Sequence, residues 1–238
     1  MKASILSLLG LSLFLTWMNI VQNQNNAHFN MLEQQVRPGD VLDHKVLGVL
    51  KQIKRVDFVD ESLSGIAYAD IALPIGHGQM MLPPILHGRM LQALEIHNDE
   101  HVLEVGTGSG YFTALLSTLA QHVTTIEIMK ELSLIAKQNI EGYGFDNITY
   151  CVGDASKIYP LSDRIDVIVL TAAFVVVPDD YLQNIKVGGR LLAVVGQEQN
   201  MEVQLIYRVA EREWQTKSVL ETVIPAVINA EPKPEFKF

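Results

Sequence analysis

The chain carries a single cysteine, Cys151, among 238 residues. One thiol excludes an intramolecular disulfide and any zinc cluster built on cysteines. Within its apolar stretch Cys151 reads as a core thiol. Charge is also sparse, at 19% of residues, and no run of lysine and arginine reaches the density of a phosphate-binding stripe. A net charge of −9 disfavours nonspecific binding to polyanions, so no nucleic acid is expected as a partner. His97, His101 and His122 have no acidic or cysteine neighbours at ligand spacing, and no metal site is expected. Aromatic residues supply only 7%, yet hydrophobic residues reach 48%, which is ample for a packed core and rules out global disorder.

One apolar stretch stands apart. Lys2 precedes an apolar run from Ile5 to Leu15, the layout of a secretory leader, but no pair of small residues follows to make a cleavage site. Residues 3–21 are just long enough to cross a bilayer, although serines, a threonine and an asparagine interrupt them. Two readings stand: a membrane anchor, or a start at Met18 that leaves residues 1–17 outside the working protein and the protein cytoplasmic. Gln22 to Asn26 reads as a polar linker closing the segment 1–27, and residues 231–238 as a frayed tail. Residues 28–230 form one domain by length. Its pattern gives no oligomeric state.

Within that domain, 28–95 is expected to be a helical cap on the substrate side and 96–230 a ligand-binding sheet. His28 to Val59 reads as two short helices split at Pro38-Gly39, Ser62 to Pro84 as a punctuated loop, and Ile85 to Leu94 as a further helix. From His101 strands and helices alternate. Strands are predicted at 101–106, 122–128, 148–154, 165–172 and 190–196, with helices at 110–120, 130–140 and 178–185 between them. Val203 to Val209 and Thr216 to Val223 alternate without an intervening helix, which predicts an antiparallel hairpin at a sheet edge. The fold class is α/β: a doubly wound, mostly parallel seven-stranded, Rossmann-like sheet.

The run Glu104-Val105-Gly106-Thr107-Gly108-Ser109-Gly110 lies where the first strand turns into a helix, so its glycines let a ligand approach the backbone. A dinucleotide fingerprint needs glycine at 111, where this chain has Tyr111. Glu104, two positions before the first glycine, repels a pyrophosphate and suits the ammonium of a methionine moiety. Glu127, at the next strand end, is placed to accept ribose hydroxyls, and Asp154, at the third, to accept from an adenine amino group. Three acids at three strand ends point to S-adenosylmethionine.

The glycine motif, Glu127, Gly153-Asp154, the strand end Thr171-Ala172-Ala173 and Lys186-Val187-Gly188-Gly189-Arg190-Leu191 resemble class I S-adenosylmethionine-dependent methyltransferases. More specifically, Ala67 to Gln79 (AYADIALPIGHGQ) is similar to the substrate loop of protein-L-isoaspartate O-methyltransferases, and Glu33-Gln34-Gln35-Val36-Arg37 to that family's first helix. The resemblance implies methyl transfer to a carboxylate of damaged protein, with Gly106, Thr107, Gly108, Gly110 and Thr171 joining the three acids around the cofactor. The family usually has Gly-Gln-Thr-Ile-Ser in its acceptor loop, where this chain has Gly78-Gln79-Met80-Met81-Leu82. Leu82 therefore occupies the position of the family serine and has no hydroxyl to offer a carboxylate. The alternatives are weakened or absent isoaspartyl activity, a small or apolar acceptor, or cofactor binding without turnover. Gln79 and His77 are the remaining acceptor-side candidates, His77 either as a base or as a backbone-capping loop residue. Ala155 replaces the glycine that usually follows Gly-Asp.

Overall fold

The structure is a computed structural model that describes residues 18–157 and 164–230. The apolar leader at 1–17 and the tail at 231–238 lie outside the described residues. Among the described residues, no helix is long and apolar enough to cross a membrane.

Seven strands form one sheet in the order β5-β4-β3-β6-β7-β8-β9. β3 (His101–Val105), β4 (His122–Glu127), β5 (Ile148–Val152), β6 (Ile165–Phe174) and β7 (Ile185–Gln197) run parallel, while β8 (Asn200–Ala210) and β9 (Glu213–Glu221) close the edge as the antiparallel hairpin that their alternation predicts. The central strands are buried on both faces, which is why they are apolar runs rather than alternating ones. Val102 and Val167 point into one apolar layer, and Leu103 and Ile168 into the other. Strand order reverses between β3 and β6, so a crevice opens at their carboxyl ends. Cys151 is half-buried and packs beside the second layer.

Three boundaries differ from expectation. β7 begins at Ile185, five residues before Arg190, because the chain runs through Gly188-Gly189 within the strand. A Cβ at Gly189 would lie 2.5 Å from the carbonyl oxygen of Asp166, so only glycine lets β7 approach β6 there. The segment read as a polar linker is helical: α1 spans residues 18–30 and continues into a π-helical turn, Met31–Val36. Its polar run faces outward, whereas Met31, Leu32 and Val36 are buried in the cap. A 3-10 turn at Arg55–Phe58 follows the second helix, and the punctuated stretch holds a further 3-10 turn, Glu61–Ile66, and a short hairpin, β1 (Leu73–Gly76) with β2 (Gln79–Met81), strands too short for a readable period. α2 (His44–Gln52) is capped by Asp43, which accepts from the backbone N–H of Lys45 and Val46, and α3 (Pro84–Leu94) starts on a proline.

The turn from β3 into α4 (Tyr111–Leu119) fixes the crevice. Gly106, Gly108 and Gly110 all have positive φ, at +98°, +55° and +86°. At Gly110 an added Cβ would also sit 3.1 Å from the Cα of Ala136 in α5 (Lys130–Glu141), so this glycine sets how closely α4 and α5 pack. Beneath the turn lies Glu104, wholly buried in β3. Its Oε2 accepts from Thr113 Oγ1 at 2.5 Å and Thr125 Oγ1 at 2.7 Å, and its Oε1 has no partner among the described residues. Burial pushes this carboxyl up to about 8; the two threonine bonds offset part of that effect, and the nearby Glu127 adds to it.

Two outcomes follow for stability. Gly110→Ala should lose about 1–3 kcal/mol in denaturant unfolding, the range for overpacking, since both φ and the backbone of α5 oppose a methyl group. Between the ordinary value of 4.5 and about 8, Glu104 is neutral in the native chain and ionised in the unfolded one. The native state then holds the extra proton, so stability falls as pH rises through that window. Glu104→Gln removes the effect: its stability relative to wild type should climb from about pH 5 to 8 and level off above, whereas a constant difference would contradict a neutral carboxyl.

Candidate active site

A cleft of about 100 Å³ lies at the carboxyl ends of β3, β4, β5 and β6. Its floor is the Gly106–Gly108 backbone, and its sides include Glu127, Gly153-Asp154 and Thr171. Ile128, Leu132, Ala155 and Val227 add an apolar slot. Among the described residues its lining holds two carboxylates and no lysine or arginine. These acceptors disfavour the phosphates of a nucleotide and accommodate hydroxyl, amino and cationic groups.

Each strand end places its side chain by backbone hydrogen bonding. Glu127 is 5% exposed; its Oε2 accepts from the Gly108 N–H at 2.9 Å and its Oε1 from the Met129 N–H at 3.1 Å. The carboxylate thus holds the glycine turn and faces the cleft at once. Thr171 Oγ1 lies within hydrogen-bond reach of the carbonyl oxygens of Val105 and Gly106, at 2.8 and 2.9 Å. It occupies the space of a Gly106 side chain, since a Cβ there would meet Oγ1 at 2.3 Å. Asp154 is exposed at the rim, where the Ser156 N–H and Asn229 Nδ2 donate to it and hold its carboxyl below the usual range. Asn229 arrives on a segment absent from the sequence-based reading. Beyond β9 the chain returns to β6, Val227 N–H donating to Ala173 O and Ala173 N–H to Pro225 O, and so brings Ala226 to Ile228 into the wall.

Two of the expected site residues stand outside the lining of the cleft. Glu104 lines no part of the cleft: β3 alternation turns it into the sheet's interior, and its threonine bonds keep it beneath the turn. Its placement beneath the turn supports the loop. His77 stands exposed at the β1–β2 hairpin tip with φ +53° and lines neither the cleft nor the cavity beside it. Gln79, on β2, does line the cleft. Gly110 sits below, against α5, and Thr107 pairs its hydroxyl with Thr125 at 2.6 Å.

Behind the hairpin a second cavity of about 40 Å³ shares Met80, Gly106 and Thr171 with the cleft. Leu82 forms part of its wall with Met81, Thr107, Tyr111 and Phe112. So does His87, a residue missed in the sequence because it falls inside the apolar pattern of α3, where a histidine gives no periodic signal. Its Nδ1 lies 3.3 Å from Nη1 of Arg55, a wholly buried guanidinium on the cap. Burial, reinforced by Arg55, drives the His87 imidazole well below its ordinary 6.5, so the ring is neutral. Arg55 is lowered by burial to about 10 and stays charged at neutral pH.

Comparison with known proteins gives this geometry its lineage. The family model described as protein-L-isoaspartate(D-aspartate) O-methyltransferase matches residues 24–231. A protein-L-isoaspartate O-methyltransferase of Magnetococcus marinus is 40% identical over 179 residues, covering 75% of this chain and 78% of that one. The Myxococcus xanthus protein of the same name is 42% identical over 156 residues, 66% of this chain and 74% of its own. In three dimensions the chain is similar to a Plasmodium falciparum structure assigned to the same enzyme and solved with S-adenosyl-L-homocysteine. The TM-score is 0.72 at 19% identity, covering 84% of this chain and 97% of the other. On the match over residues 24–231, the chain belongs to the protein-L-isoaspartate(D-aspartate) O-methyltransferase family.

Proposed function

We infer that this chain transfers a methyl group from S-adenosylmethionine to the side-chain carboxylate of isoaspartyl residues in protein. One observation carries the cofactor reading: a strand-end cleft whose described lining has two carboxylates and no cationic side chain. Glu127 would receive the ribose hydroxyls, Asp154 the adenine amino group, and the Gly106–Gly108 backbone the methionine portion. Ile128, Leu132, Ala155 and Val227 would enclose the base. When bound, S-adenosylmethionine supplies a methyl group on positively charged sulfur.

The protein's part is placement. A carboxylate acceptor is already anionic at neutral pH and needs no base. A lone pair on its oxygen forms the new C–O bond while the C–S pair returns to sulfur, so both charges vanish and no proton moves. Met80 and Thr171, common to both cavities, would flank the acceptor oxygen and the methyl group. Excluding water from an encounter that loses charge lowers the barrier, and the apolar Met81, Leu82 and Phe112 do so. The same apolar wall favours a second reading, a small apolar acceptor. Against it stands Arg55, a buried guanidinium behind the same wall, which favours an anionic acceptor over a neutral one.

Labelled methyl transfer tests the reading: isoaspartyl peptide should be methylated and the matched aspartyl peptide left unlabelled, while labelling of neither would contradict it. In calorimetry Glu127→Ala should weaken S-adenosylmethionine binding by about 1–3 kcal/mol, because it removes a buried acceptor. Asp154→Ala should cost less, its carboxylate being exposed to water. Affinity unchanged in both variants would place the cofactor elsewhere.

A further inference from the structure

The acceptor cavity lacks a hydroxyl at position 82, yet its wall holds a polar side chain that is only 3% exposed, His87. The guanidinium of Arg55 can only donate, so the contact at 3.3 Å makes His87 Nδ1 the acceptor and leaves the ring proton on Nε2. The ring plane is held by Phe112, stacked at 5.0 Å, and by Tyr111, edge-on at 5.3 Å. Among the described residues no protein acceptor meets Nε2–H, and the hydroxyl of Tyr111, in the same wall, is buried without a partner. Arg55 itself forms no ion pair among the described residues; its Nη2 donates to Ile71 O at 3.3 Å and its Nε has no partner. A buried cation with no ion-pair partner in contact, behind a hydrogen-bond donor, favours an arriving anion over a neutral group, although Asp70 offsets part of its charge from a distance.

We propose that His87, its tautomer fixed by Arg55, is the donor that receives the acceptor carboxylate through Nε2–H, in place of the hydroxyl absent at Leu82. The assignment rests on the carboxylate reading above. It makes His87 a substrate-contacting residue and Arg55 a positioning residue. It also explains how an acceptor loop ending in Met80-Met81-Leu82 can serve a charged substrate: the donor has moved from the loop to the first turns of α3.

The test uses the full chain, an isoaspartyl peptide and S-adenosylhomocysteine. His87→Phe keeps the ring stack and removes both nitrogens. With thermal midpoint and S-adenosylhomocysteine affinity matching wild type, it should lose about 10–100-fold in kcat/KM for the peptide, the range of a hydrogen bond to a charged group. Adding Leu82→Ser should restore most of that loss, a rescue that a purely structural histidine would not show. Unchanged kcat/KM in the folded single variant overturns the assignment. Should that variant fail to fold, wild-type histidine NMR decides: the His87 Nε2 resonance should shift when peptide joins the S-adenosylhomocysteine complex, and an unmoved resonance overturns the proposal. Peptide binding that shifts the resonance without any methyl transfer would sink the isoaspartyl reading and uphold the His87 contact. No peptide binding at all would overturn both.

Discussion

The turn between β3 and α4 has no room for a side chain at Gly106 or Gly110, and the rest of the site is arranged around that fact. Thr171 fills the volume beside Gly106, α5 closes on Gly110, and the Glu127 carboxylate takes the Gly108 N–H. Each contact ties the turn to a different element: β6, α5 and β4. The crevice at the strand-order reversal therefore has one shape, set before any ligand arrives, and its acidic lining follows from the strand ends that build it.

From that turn the structure separates two chemistries. The cleft is acidic, with no cationic side chain in its lining among the described residues; the cavity behind the hairpin mixes apolar and polar side chains and is backed by a buried guanidinium. On the proposed reading, a cationic methyl donor on one side and an anionic acceptor on the other would each be drawn to opposite charge and meet at the shared wall, which includes Ile75, Met80, Gly106, Gly108 and Thr171. Positioning would then do the work that acid–base groups do in other transfers. The cap, built on α1 to α3 and the β1–β2 hairpin, would supply the acceptor side, and the sheet the cofactor side.

Much of this was legible in the sequence because period and punctuation report it. The parallel strands appear as unbroken apolar runs, the edge hairpin as alternation, and the glycine turn as a motif at a strand end. What escaped depended on tertiary placement. Glu104 looks like a site residue until β3 alternation turns it inward, where Thr113 and Thr125 hold it. His87 looks like one polar interruption in an amphipathic helix until Arg55, far away in the chain, meets its ring. The return of residues 225–228 to β6 rests on backbone hydrogen bonds that any sequence can make, so no side-chain pattern announces it. The helical character of Gln22–Asn26 comes from the apolar anchor at Met31, Leu32 and Val36 that follows, not from the polar run itself.

Whether carboxylates rather than cations read the cofactor at the strand ends is settled by a crystal structure of the protein grown with S-adenosylhomocysteine. The ribose hydroxyls should lie on the Glu127 carboxylate and the adenine beside Asp154 and Ala155, with Glu104 still beneath the turn. A crevice left empty at saturating ligand, or one that instead takes a phosphate-bearing nucleotide, would contradict the account.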